Sequence, residues 1–184
     1  MAQVIPGRFT AQIDGPFVVF LIGMRINRFF AFSKWYPTAT AMQPMLRSLY
    51  DHPEKGFLGA EQFYYWRGAG LVQYWRSFED LEQFARNPSE PHLKAWQRFN
   101  RAVGGDGSVG IWHETYRVEP RQYEAIYVNM PAFGLAGATQ SVPIRSNRET
   151  ARDRMSASDI KNSFSSQPES QISAISTQEP RSDG

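Results

Sequence analysis

The chain reads as an α+β domain whose elements follow the order β-α-β-β-α-β, with a polar tail behind it. Three observations lead to that class. The run Phe17-Val18-Val19-Phe20-Leu21-Ile22-Gly23-Met24 is apolar at both parities and stops at Arg25, far short of the ~20 residues a membrane helix needs, so it is a strand buried on both faces. Two segments with helical spacing each follow a strand-like run and lead into another. After about Ala138 the aromatic residues vanish except for Phe164, while Ser, Gln, Pro, Arg and Asp dominate.

Taken in order, the first strand is followed by a helix over Thr38 to Tyr50, with Ala41, Met45, Leu46 and Leu49 on one face and Asp51-His52-Pro53 as its stop. Gly56 to Tyr65 is extended, Arg67-Gly68-Ala69-Gly70 has the composition of a hairpin turn, and Leu71 to Arg76 returns as the third strand. Ser77 is the cap of a second helix, because its hydroxyl can accept the free N–H near Asp80 and Glu79 and Asp80 supply an acidic first turn. That helical region breaks at Asn87-Pro88-Ser89-Glu90-Pro91, resumes from His92 to Val103 and ends at Gly104-Gly105-Asp106-Gly107; Val109 to Val118 is the fourth strand. Four strands and two helices in this order make a ferredoxin-like plan for residues 1–140. Residues 141–184 are expected to be a disordered tail with a short helix around Arg148 to Ile160, since they cannot bury enough apolar surface to offset their ordering entropy.

Composition excludes several classes. The chain has 184 residues, 20 Lys+Arg, 18 Asp+Glu and no Cys, so nothing demands a nucleic-acid partner and neither disulfides nor thiolate chemistry are available. The N-terminus lacks the basic start and apolar core of a secretory signal, and the protein is expected to be cytoplasmic, with no membrane span. Aromatic residues make up 14%, including five Trp and eight Tyr, which fits either an aromatic core or a lined cavity and large interface.

In a ferredoxin-like plan the helices cover one sheet face and the other should be polar, yet strand one and the strand from Leu71 are apolar on both sides. Two copies packed sheet to sheet would bury the second face and enclose an apolar cavity, so a homodimer is expected. His113, mid-strand between Trp112 and Glu114, is either a base facing that cavity or a core histidine bonded to a carbonyl. Glu114 has the opposite parity, so only one of the two can face the cavity. Glu61, in an aromatic strand, is a candidate for proton abstraction. Asn129 is a candidate oxyanion donor or a turn residue, and Trp75, Trp112, Tyr64 and Tyr65 are candidates for holding an aromatic substrate. Arg25 either binds a substrate carboxylate or pairs with Glu61. His52 reads as solvated.

The segments Gly110-Ile111-Trp112-His113-Glu114-Thr115-Tyr116, Tyr123 to Pro131 and Gly134-Leu135-Ala136 resemble a small monooxygenase-like family grouped with the fumagillin-pathway polyketide monooxygenase. Gly23 to Asn27, Gln73 to Ser77 and Pro91-His92 carry the same resemblance, which spans about residues 17 to 138. The family is similar in turn to antibiotic-biosynthesis monooxygenases, dimeric α/β barrels that oxidise electron-rich phenols or anthrones without metal or flavin. The resemblance implies a cofactor-independent monooxygenase of secondary metabolism acting on dioxygen and a small aromatic or polyketide-like substrate, with His92 near the cavity mouth. The same architecture carries haem in aldoxime dehydratases and chlorite dismutases, which leaves a haem enzyme with His113 or His92 as axial ligand as an alternative. A barrel that only binds a small apolar ligand is the third reading.

Overall fold

The structure, a computed structural model, describes residues 3–87, 97, 99–101 and 103–156. Strand β2 (Phe17–Ile26) is the spine of the molecule, paired antiparallel on one side with β4 (Gly68–Trp75) and on the other with β5 (Val109–Val118). β3 (Phe57–Tyr65) adds to β4, giving the order β3-β4-β2-β5. A strand that is apolar at both parities belongs in such a central position, because both of its faces are covered. Its even-numbered residues turn to the helices: Val18 packs with Leu49, Phe57, Trp75 and Leu81, and Phe20 lies against the same cluster.

The helical layer starts earlier than expected. α1 (Phe32–Thr40) and α2 (Met42–Asp51) meet at Ala41 where a single helix over Thr38 to Tyr50 is predicted. Pro44 has no N–H to give to the carbonyl of Thr40, four residues back, so the helix resets there. α3 (Phe78–Arg86) begins as its sequence predicts, with the Asp80 N–H donating to Ser77 Oγ at 3.0 Å. Of the predicted helix over His92 to Val103, residues 97 and 99–101 are helical, and residues 88–96 lie outside the described part. The β3–β4 turn is at Trp66-Arg67 rather than at Arg67 to Gly70, because Gly68 and Gly70 serve the strand: Cβ atoms there would meet the rings of Tyr65 and Phe63 at 2.5 Å.

The second face is partly covered by the chain itself. β1 (Ile5–Gln12) is the centre of a three-stranded sheet, flanked by β6 (Tyr127–Met130) and β7 (Gln140–Pro143). With the short helix α4 (Gly134–Ala138), this sheet packs Ala11, Leu135 and Ala136 onto Phe17, Val19, Tyr74 and Val118. The expectation that a second copy covers the whole face is therefore corrected for one end of it. So is the tail boundary: residues 141–156 are ordered, β7 pairing with β1 from Phe9↔Pro143 to Gln12↔Gln140, followed by α5 (Ala151–Ser156). Arg154, half-buried with its side chain 8% exposed, ties this segment down through Glu124 and the carbonyls of Arg148 and Glu149. Residues 157–184 lie outside the described part.

Candidate functional site

The uncovered half of the second face carries the chemistry. Its residues follow from the register as rows running from β3 to β5. One row is Glu61, Val72, Leu21 and Glu114; the next is Phe63, Gly70, Gly23 and Trp112; the last is Tyr65, Gly68, Arg25 and Gly110. Glycine occupies the middle of the strip and aromatic rings lie across it from both edges. A Cβ at Gly23 would sit 2.8 Å from the Trp112 indole, so the close ring approach requires glycine. Tyr65 locks the indole in place: its O–H donates to the Met24 carbonyl at 2.6 Å and its oxygen accepts from Trp112 Nε1 at 2.7 Å. Within one chain this half is an aromatic surface with a carboxylate at each side; the expected enclosed cavity is not formed by a single copy. A water-sized crevice of about 10 Å³ lies elsewhere, beside Thr10, Tyr123 and Arg154.

The two carboxylates differ in surroundings. Glu61 reaches towards α4, where Oε1 accepts the Gly134 N–H at 2.9 Å. The hydroxyls of Tyr74 and Tyr127 converge on the same turn, and Gly134, at φ +58, leaves room for both. Burial pushes the Tyr74 phenol up to about 12, helped by Tyr127 and the Glu61 carboxylate; burial also raises Tyr127. Both phenols therefore stay protonated at neutral pH. Glu114 is exposed at the far edge and accepts the Tyr116 O–H on Oε2 at 2.6 Å, a hydrogen bond that raises the Tyr116 pKa.

Several sequence candidates lie elsewhere. His113 pairs with Ile22 and projects to the helix-covered side, exposed, its ring 5.7 Å from that of Phe20. Parity puts His113 and Glu114 on opposite faces, and the register puts Glu114 on the uncovered one. Trp75 is fully buried in the helix-side core, its Nε1 donating to Gln73 Oε1, so it is not a substrate contact. Tyr64 is on that side too, 78% exposed, and accepts from Gln62 Nε2. Asn129, at φ +53, accepts the Gly7 N–H at the β1–β6 bulge and is a piece of the smaller sheet rather than an oxyanion donor. The Arg25–Glu61 pair is not made: Arg25 Nε donates to Asn27 Oδ1. His92 lies outside the described residues. Trp112 and Tyr65 are on the uncovered half, and Glu61 stands at its border, held by α4. Phe63, which alternation along β3 groups with Glu61 and Tyr65, joins them there.

The haem alternative can be set against this donor set. Among the described residues the imidazoles are His113 and His52, and His52 Nδ1–H donates to the Ser48 carbonyl at 2.8 Å beyond α2. Neither faces the aromatic strip, so the described residues do not fit a haem there. Among them no three of His, Cys, Asp and Glu cluster as metal ligands would.

A profile of the family described as "Monooxygenase af470-like" matches residues 17–135, from the first residue of β2 into α4. The chain belongs to the af470-like monooxygenase family. Within that family it is 32% identical over 154 residues to "Monooxygenase af470" of Aspergillus fumigatus, a match covering 70% of this chain and 53% of that protein. The chain thus spans about half the length of the curated relative. Among solved structures, an aldoxime dehydratase in complex with butyraldoxime superposes with a TM-score of 0.61 at 16% identity, over 76% of this chain and 41% of that one. A second aldoxime dehydratase gives a TM-score of 0.60 at 17% identity, over 78% of this chain and 45% of that one. At such identities the likeness is one of fold. The part of the af470-like chain that the family profile spans includes the main sheet, its aromatic strip and both carboxylates.

Proposed function

We propose that this chain is a cofactor-independent monooxygenase that oxidises a small aromatic or polyketide-like molecule laid on the Phe63–Gly70–Gly23–Trp112 strip. The observation that supports it is the strip itself: flat aromatic faces over glycines, with an ionisable group, Glu114, one row away on the same strand as Trp112. A second copy closing over the uncovered half would exclude water and complete a cavity.

In this reading Glu114 takes a proton from an activated CH2 of the substrate, and the carbanion passes one electron to dioxygen. The resulting radical and superoxide join in a C–O bond, and the peroxide takes up the proton. Loss of the second hydrogen with cleavage of the O–O bond leaves a carbonyl and one water, so the four electrons of dioxygen reduction all come from the substrate. Tyr116, hydrogen-bonded to Oε2, orients the carboxylate. The Trp112 indole and the Phe63 ring hold the substrate plane parallel to the sheet.

Oxygen uptake with an anthrone as substrate tests this. Glu114→Gln is expected to lower kcat by at least about a hundredfold with little change in KM, within the range of general-base loss. Uptake undiminished in Glu114→Gln removes Glu114 as the base, and a saturable Soret band on haemin titration, accompanied by haemin-dependent turnover, overturns cofactor independence.

A further inference from the structure

We propose that the tip formed by the β2–α1 turn and the β3–β4 turn docks the protein on an anionic lipid surface. This inference does not depend on the oxygenase reading.

The tip carries apolar bulk that the fold does not use. Among the described residues Phe30 is fully exposed and Trp66 is 80% exposed, and Phe29, Phe32 and Tyr36 beside them are also exposed. Isolated surface aromatics are ordinary, but four of these five pair: the rings of Phe29 and Trp66 are 6.5 Å apart and those of Phe32 and Tyr36 stack at 5.1 Å. The backbone beneath them is tied into the protein. The Ile26 N–H donates to the Arg67 carbonyl, those of Asn27 and Arg28 donate to the Ser108 carbonyl, and Trp35 Nε1 donates to the Phe29 carbonyl. Arg67, at φ +68, returns its guanidinium to the carbonyls of Ile26 and Asn27 and lies 4.8 Å from the Phe29 ring centre. A turn with this many backbone groups paired inside the protein and its rings exposed leaves few of those groups unsatisfied when it enters the headgroup boundary.

Charge selects the partner. No Asp or Glu occurs from Gly15 through Tyr50, a stretch holding Arg25, Arg28, Lys34 and Arg47, and the turn opposite adds Arg67. Asp106, which lies beside the tip, is paired with Lys34. A projecting point of Phe, Trp and Tyr rimmed by arginine matches an anionic bilayer, where aromatic rings seat at the headgroup level and basic groups meet lipid phosphates and carboxylates.

The test is flotation of the full chain with vesicles of phosphatidylcholine, alone or with phosphatidylserine. Wild type is expected to float with the anionic vesicles and to do so less as salt is raised. Phe30→Ser combined with Trp66→Ser should lower the partition coefficient at least about tenfold, and Arg28→Gln about fivefold on anionic vesicles only. In wild type, brominated acyl chains should quench tryptophan emission, and the conservative Trp66→Phe should remove much of that quenching. The proposal is overturned if wild type stays with the pellet at all lipid concentrations, or if the double variant floats as well as wild type. It is likewise overturned if the double variant splits an oligomer by light scattering, which would assign the tip to protein contact.

Discussion

A methyl group at position 23 would meet the Trp112 indole at 2.8 Å, and one at position 70 would meet the Phe63 ring at 2.5 Å. Gly23→Ala should therefore cost about 1–3 kcal/mol in urea unfolding, the usual cost of overpacking, and should shift the Trp112 contribution to fluorescence as the ring is displaced. Tyr74 gives a pH prediction. Its folded pKa, about 12, stands above the ordinary phenol value of 10.0, so the stability it contributes is complete below about pH 10 and is lost as pH rises from there to 12. Melting temperatures measured across that window should fall less steeply for Tyr74→Phe than for wild type; equal slopes would show that the phenol is not held protonated by the fold. At this scale the sequence was informative where parity was enough. Opposite parities for His113 and Glu114 could be read from spacing, but which of them faced the helices depended on pairing with Ile22 and Leu21, and that register is set by tertiary contacts. Trp75 posed the same choice between core and contact, since an aromatic residue on a strand looks alike on either face, and its place in the helix-side core depends on that register.

The elements that could be read early are those with strong local chemistry. β2 declares itself by its apolar run, and α3 by Ser77, whose replacement by alanine should cost about 1 kcal/mol of stability, measured by chemical denaturation. The smaller sheet had no such signal. β6 and β7 are four residues each and mostly exposed or half-buried, so neither alternation nor apolar length marks them. What orders them is partnership with β1 and the Arg154 clasp, both distant in sequence. Arg154→Ala should free the segment after β7, seen as faster amide exchange over residues 144–156 while the main sheet exchanges as before. Unchanged protection there would mean that the β1–β7 pairing alone holds the segment.

For the molecule as a whole, the β-α-β-β-α-β order followed from the sequence, and with it the helix-covered and uncovered faces. Only half of what lies over the second face was missed, since the covering comes from segments outside the plan. The uncovered half carries the homodimer proposal, which light scattering tests through a particle of twice the 21.0 kDa chain mass. A monomer would leave the aromatic strip open to water and would undercut the oxygenase reading along with it. The position of β1 has a bearing on how the protein is made. Its two neighbours, β6 and β7, leave the ribosome long after it does, so residues 5–12 must wait without a partner while the four-stranded sheet is synthesised. During that wait Phe17, Val19 and Tyr74 lack the part of their cover that Tyr127, Leu135 and Ala136 supply. The nascent chain is thus expected to pass through an interval, closed only when Pro143 has emerged, in which an unpaired β-edge lies beside a half-covered apolar face; slow translation of the last third would lengthen the exposure and give chaperones, or aggregation, more time to act.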